Sequence, residues 1–316
     1  MTSEIGVVLV NYAGATDTEA CLASLRSATV SLRIVVVDNT PDDALLRPVF
    51  ERYRDVTGLF PGENLGFGRG NNLGCEWLLE NTGCKSVFIL NNDAMVRPST
   101  IERLHDELTA RPGCGITVPK IVLSDRPDIV WYSGGSVDWK RGGSRIEGFL
   151  ASAASTDGDE PREVGFATGC AMLVRRSVLA ATRGFDPRFF MYEEDLELSI
   201  RVRESNWSIV YVPDAVVEHR VQGSMRDSGQ TLTGKWHVDN PNFDFHAYHM
   251  SRNKLLNALI HARGMDAVVF AACFPLYLVS KLLPHFARFR FRSAWPVIRG
   301  LWSGFGAWFS TARATD

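Results

Sequence analysis

The chain has 316 residues, 45% hydrophobic and 22% charged, with a formal net charge of −2, an ordinary globular balance that offers no electrostatic footprint for nucleic acid. That length fits one large α/β domain or a domain with an appendage. The charge is uneven: residues 261–316 carry seven Lys or Arg against two Asp, a net +5, which leaves −7 on the other 260 residues.

The start, MTSEIGVVLVNY, has no basic n-region and no small-residue cleavage site, so a cytoplasmic catalytic face is expected. The six cysteines show neither CxxC pairs nor zinc-ligand spacing, and are expected to be buried thiols. Residues 5–10, 34–37 and 87–90 are continuous apolar, β-branched runs, the pattern of strands buried on both faces of a parallel sheet. Thr16 with Glu19 fits a capping box opening a helix with Cys21, Leu22, Leu25 and Ala28 at helical spacing. Ser99 with Glu102 fits a second, with Ile101, Leu104 and Leu108 inward and Arg111, Pro112 and Gly113 at its end. Strands alternating with helices predict a doubly wound α/β sheet, whose ligands bind beyond the carboxyl ends of the strands.

Weight therefore falls on the residues that end the runs: Asn11 and Tyr12, Asp38 and Asn39, and Asn91, Asn92 and Asp93. Turn formation explains such residues one at a time and explains three strand ends together less well. A carboxylate at Asp38 can accept from a pyrimidine N–H or a ribose hydroxyl, or simply cap a turn. Residues 63–74, ENLGFGRGNNLG, hold Asn64, Gly66, Arg69 and Asn72. Their glycines suit close backbone approach to a ligand and a sharp helix entry, but fit neither a dinucleotide fingerprint nor a P-loop. Residues 141–163 read as a loop or hairpin. Residues 165–176, GFATGCAMLVRR, read as a small-residue loop around Gly169 that feeds a buried strand.

The stretch 184–219 is the most informative. It packs Glu193, Glu194, Asp195 and Glu197 after an aromatic loop, and places His219 24 residues past Asp195. A clustered acid suits a general base, and an imidazole with Asp93 suits a divalent cation whose shell phosphate and water complete. The plainer reading of the cluster is a solvated helix N-terminus. Residues 222–240 are polar and Gly-rich, fit for a lid. Tyr248, Arg252 and Asn253 open a helical segment in which an arginine could clamp a diphosphate.

Taken in order, VVLVNY, VVVDNT, ENLGFGRGNN, FILNND, GFATGCAMLVRR, GFDPRFFMYEEDLELSIR, YVPDAVVEH and SRN resemble a family 2 glycosyltransferase of the GT-A fold, over roughly residues 4–255. The likeness is strongest to the bacterial branch with rhamnosyl- and galactofuranosyltransferases. It implies a nucleobase contact at Asp38, Mg2+ or Mn2+ at Asp93 and His219, a catalytic base at Asp195 beside Glu194, and a diphosphate contact at Arg252. Asn11, Tyr12, Asn64, Gly66, Arg69, Asn72, Asn92 and Gly169 would complete the nucleotide-sugar site. Two departures stand out. Asn91 replaces the first acid of the DxD motif, and Glu197 replaces the final aspartate of the EDxD motif. The implied reaction is an inverting, metal-dependent transfer from a dTDP- or UDP-sugar, with dTDP-rhamnose favoured, to a glycan or polyprenyl-linked hydroxyl in cell-surface polysaccharide synthesis. Its rivals are a sugar-1-phosphate nucleotidyltransferase and a degenerate carbohydrate-binding scaffold.

The expected layout is a GT-A domain over 1–262, with a nucleotide-sugar half to about 125 and an acceptor half from 126, then a helical tail over 263–316. In that tail 267–279 is apolar but contains Pro275 and falls short of the ~18–20 residues that span a bilayer. Trp295, Ile298, Trp302, Phe305 and Phe309 fall near helical spacing beside Arg288, Arg290, Arg292 and Arg299. This predicts peripheral attachment to the inner face of the plasma membrane, or a homo-oligomer interface; core-packing helices are the plain alternative.

Overall fold

The computed structural model describes residues 4–156, 160–221 and 236–312. In chain order the elements are β1 (Ile5–Asn11), α1 (Ala15–Leu25), β2 (Leu32–Asp38), α2 (Arg47–Arg52), β3 (Thr57–Leu59), α3 (Gly66–Asn81), β4 (Ser86–Asn91), β5 (Ala94–Val96) and α4 (Thr100–Ala110). They continue with β6 (Cys114–Leu123), β7 (Arg126–Tyr132), β8 (Gly135–Asp138), β9 (Gly143–Ile146), β10 (Arg162–Val164), β11 (Ala171–Arg175), α5 (Arg176–Thr182), α6 (Glu194–Glu204) and β12 (Ser208–His219). Three long helices follow: α7 (Phe243–His261), α8 (Met265–Phe286) and α9 (Ala294–Ala312).

The chain forms two compact units. The first runs to residue 220 without two short inserts; the second holds those inserts, 137–145 and 191–193, with the described residues from 221 onward. Residue 262, the expected end of the catalytic region, lies inside the second unit between α7 and α8.

The first unit is a mixed α/β layer structure. Its sheet runs β10-β12-β6-β11-β4-β1-β2-β3, with β5 on β12 and β7 on β6. The three apolar runs form β1, β2 and β4, paired in parallel and almost wholly buried. β11 enters antiparallel between β4 and β6. The expected capping boxes do not form. α1 starts after Gly14 without a side-chain cap, and Ser99 takes a left-handed conformation. The Glu102 carboxylate is drawn off to the backbone N–H and hydroxyl of Thr29, a tertiary contact that local pattern cannot anticipate. Five cysteines are buried free thiols and Cys273 is half-buried.

Apart from its two short inserts, the second unit is helical. Phe270, Phe274, Leu278 and Leu282 recur every four residues on one face of α8 and pack with Phe243, Ala247, Leu255 and Ala258 of α7 and Val297 of α9. α9 approaches α7 through Gly300 and Gly304: a Cβ at Gly300 would collide with the Ser251 hydroxyl and the Tyr248 carbonyl. Pro275 does not interrupt α8, which runs 22 residues through Pro275 and Pro284. The expectation that this stretch is too short to span is thereby corrected: by length and composition alone α8 could cross a membrane. Of the expected lid, 222–235 lies outside the described residues.

Candidate active site

β1, β2 and β4 end together. Asn11 pairs with Asp38, and Val10 with Asn91. The chain leaves β1 towards β2 and returns as β4 on the other side, so the crevice at these ends is the ligand position of an open α/β sheet. Asn11 is fully buried and organises it. Its amide donates to Asp38 Oδ1 at 2.8 Å, and its carbonyl accepts from Gly14 N–H at 3.0 Å, the Thr18 hydroxyl at 3.0 Å and the Asn92 amide at 3.2 Å. Asp38 is also fully buried, and its Oδ1 accepts a further bond from Thr40 N–H at 3.0 Å. Its Oδ2 has no partner among the described residues. Leaving a buried acceptor unpaired costs about 1–3 kcal/mol, so this oxygen is poised for a ligand N–H or O–H. Tyr12, 60% exposed, follows at the end of β1.

The 63–74 segment does less at the site than its glycines suggest. Asn64 accepts from Gly66 N–H at 2.9 Å. Gly66 sits at φ +77°, and a side chain there would strike the Phe190 carbonyl. Gly74 instead lets α3 lie on the sheet, where a Cβ would come within 2.6 Å of Val8. Asn72 spends both ends of its amide on the Phe185 backbone, each bond 2.8 Å, and so holds that loop rather than facing a ligand. Arg69 is exposed, 3.9 Å from Glu63.

Register also assembles the metal candidates. β12 runs antiparallel to β5 with His219 opposite Ala94, which sets His219 beside Asp93. Their Nε2 and Oδ1 atoms are 3.2 Å apart, and both side chains are nearly buried. The Trp131 ring edge packs on the imidazole at 4.9 Å between centroids. Burial works against a charge on His219, but Cys170 and Asp93 hold its pKa well above the ordinary value. Two donors at this separation match neighbouring ligands of an octahedral ion, which lie ~3 Å apart when each is ~2.1 Å from the metal. Among the described residues no group of three or more His, Cys, Asp or Glu is placed to hold a metal ion. The pair therefore fits a Mg2+ or Mn2+ ion that takes its remaining ligands from phosphate and water.

Asp195 reaches the same neighbourhood from α6. Because β11 pairs antiparallel with β4, Ala171 opposite Leu90, the Gly169–Cys170 turn lies at the carboxyl end of β4. Gly169 N–H donates to Asp195 Oδ2 at 2.9 Å, and Asn91 N–H to the Cys170 carbonyl at 2.8 Å. Cys170, next in the chain, feels His219, Asp93 and Asp195; burial raises its thiol pKa. This turn thus binds Asp195 through Gly169 N–H and brings Cys170 under the influence of His219 and Asp93. Glu194 is buried at the start of α6. Glu197 is 1% exposed and grips Arg201, whose guanidinium also binds the Thr182 and Gly184 carbonyls. The substituted EDxD position thus has a structural role, fixing the chain before the acidic cluster.

Arg252 belongs to the second unit, where it binds the Ser303 hydroxyl at 3.2 Å and the Asn253 carbonyl oxygen at 2.6 Å. The sequence alone does not single out Lys254 and Asn257 of the same helix, nor the backbone conformation they hold. Tyr192 and Glu193 both adopt left-handed backbone, at φ 71° and 67°, directly before α6. Left-handed non-glycine residues store of order 1–3 kcal/mol each and cluster at functional sites. The side chains that hold them come from α7, and only the SRN triplet hinted at that helix.

A family model described as "Glycosyltransferase like family 2" matches residues 5–233. The N-acetylglucosaminyl-diphospho-decaprenol L-rhamnosyltransferase of Mycobacterium tuberculosis (strain ATCC 25618 / H37Rv) is 32% identical over 251 residues, covering 73% of this chain and 81% of that protein. Among solved structures, S. aureus TarS 1-349 in complex with UDP-GlcNAc superposes with a TM-score of 0.59 at 14% identity, covering 96% of this chain and 81% of that one. The mannosyltransferase PcManGT from Pyrobaculum calidifontis, in complex with GDP-Man and Mn2+, gives 0.55 at 16% identity, covering 98% and 86%.

Proposed function

The chain belongs to glycosyltransferase family 2, and within it we propose an inverting transfer of one sugar from a nucleotide sugar to a hydroxyl of a polyprenyl-linked acceptor. The observation that carries this reading is the Gly169–Cys170 turn, bound to the Asp195 carboxylate and near the close Asp93–His219 pair, at the strand ends where Asp38 Oδ2 lacks a donor. Asp38 would receive the base or ribose. Asp195, with Glu194 beside it, would take the proton of the acceptor hydroxyl as its oxygen attacks the anomeric carbon and the bond to the diphosphate breaks. One displacement inverts the anomeric centre. A divalent cation on Asp93 and His219 would supply positive charge for the departing diphosphate. Arg252 keeps the role of diphosphate contact that the family resemblance implies for it.

Rhamnose from dTDP-rhamnose is the first choice of donor, because the 32%-identical relative is named as a rhamnosyltransferase acting on a diphospho-decaprenol carrier. None of the matches above is a nucleotidyltransferase. The apolar, basic α8–α9 region supports a lipid-borne acceptor reached by peripheral attachment at the membrane. A thermal-shift screen of dTDP-, UDP- and GDP-sugars with and without Mn2+ tests the donor. dTDP-rhamnose with Mn2+ should give the largest stabilisation. A larger shift with another nucleotide sugar would reassign the donor, and equal shifts with and without the ion would remove the metal.

A further inference from the structure

The turn that leads into the proposed base is held by one face of α7. Asn253, Lys254 and Asn257 are all buried. Asn253 Nδ2 donates to the Met191 and Tyr192 carbonyls at 2.9 and 2.7 Å, and Asn257 Nδ2 to the Glu193 carbonyl at 3.0 Å. Three successive carbonyls are thus taken by two asparagine amides one helical turn apart. The Glu193 side chain is fixed as well: its carboxylate meets Lys254 Nζ at 2.8 Å, with side-chain exposures of 3% and 4%, and accepts from Ser144 N–H at 3.3 Å. A hydrophobic pair of similar volume would serve stability as well as a buried ion pair does, so this one points to conformational specificity. The backbone it holds, left-handed at two successive non-glycine residues, is one that a free chain would abandon.

We propose that Glu193, Lys254, Asn253 and Asn257 are positioning residues, a clamp that keeps the 191–193 turn in its strained form so that Asp195, two residues on, enters α6 in its catalytic orientation. This rests on the reading of Asp195 as the base. None of the four needs to touch substrate. Misplacing a reacting group by about 1 Å can cost ~10²-fold in rate, which is the scale on which such a clamp would act.

The test compares wild type with the double variant Glu193→Gln/Lys254→Met, which removes both charges and leaves neither ion unpaired. Hydrogen exchange of the 191–196 amides should accelerate ~10-fold or more while the β1, β2 and β4 amides stay protected. With dTDP-rhamnose as donor, kcat should fall roughly 10- to 100-fold while the affinity for dTDP stays within about twofold. Unchanged exchange at 191–196 would overturn the clamp. Faster exchange with wild-type kcat would overturn its role in the reaction. If the double variant does not fold, Asn257→Ala is read by the same two measurements and the same outcomes. Asp195→Asn run in parallel separates the two ideas: if it keeps full turnover, the base assignment has failed, and the exchange result still judges the clamp.

Discussion

Asp38 and Asp195 are both carboxylates at element ends, but their surroundings assign them different work. Asp38 is fully buried, with one oxygen spent on Asn11 and Thr40 and the other unpartnered. Hydrogen bonds to charged groups contribute about 1.5–3 kcal/mol. Asp38→Asn should therefore weaken dTDP binding by ~10- to 100-fold in isothermal calorimetry, with little change in kcat at saturating donor; unaltered affinity would remove Asp38 from the nucleotide site. Asp195 sits half-buried at the mouth of α6 with one oxygen oriented by Gly169. Asp195→Asn keeps the shape and loses the base, so kcat should fall ~10²- to 10⁴-fold while dTDP affinity is preserved. Near wild-type turnover at saturation would refute the assignment. These residues were legible because each closes or follows an apolar run that had to be a strand, or opens a charged helix. The pairing of Lys254 with Glu193 was not legible. The two lie 61 residues apart, and only the folded chain shows that the lysine is buried against an acid rather than solvated.

At the scale of elements, the parallel core of β1, β2 and β4 could be read from β-branched runs because burial on both faces leaves a continuous apolar signal. The antiparallel entry of β11 could not, since an apolar run does not record strand direction, yet that entry brings Gly169 to the site. Helix starts were misread where tertiary partners claimed the capping side chains, as Thr29 claims Glu102. The glycines of α9 carry a packing signal. Gly300 and Gly304 are one turn apart, and each faces the α7 backbone so closely that no side chain fits without a shift. Gly300→Leu should force α9 away from α7 and destabilise the second unit by ~1–3 kcal/mol or more, the usual penalty for overpacking. Intrinsic tryptophan fluorescence during thermal unfolding reads this directly, since α9 carries Trp295, Trp302 and Trp308. A melting curve that matches wild type would mean that the two helices separate at no cost.

For the molecule as a whole, the question is what the helices of the second unit face. α8 is divided along its length. Phe270, Phe274, Leu278 and Leu282 are packed against protein, whereas Met265, Val268, Leu276, Val279 and Leu283 are exposed. α9 exposes Trp295, Ile298, Trp302, Phe305 and Phe309 at helical spacing, and Phe289 and Phe291 stand exposed in the connection between the two helices. A spanning α8 would have to strip its packed face from the α7 core, losing about 1.5–3 kcal/mol for each large side chain withdrawn. Lying in the interface keeps that packing and still buries the exposed face in lipid, so we propose in-plane attachment. The connection also carries Arg292, together with Arg288 and Arg290, which are ion-paired with Asp239, and each uncompensated cation near an anionic surface adds about 1 kcal/mol. The chain should therefore co-sediment with phosphatidylglycerol-containing vesicles at low salt and be largely released at high salt. Trp302→Glu with Phe289→Glu should lower the bound fraction at least ~10-fold while dTDP affinity is retained. Both side chains are exposed, so the core shared by α7, α8 and α9 is left intact, as it would not be if residues 263–316 were deleted. Binding that survives both high salt and alkaline carbonate would show that α8 crosses the bilayer. Failure to bind at low salt would turn the same apolar face into a contact between copies of the chain, measurable as a dimer by sedimentation equilibrium.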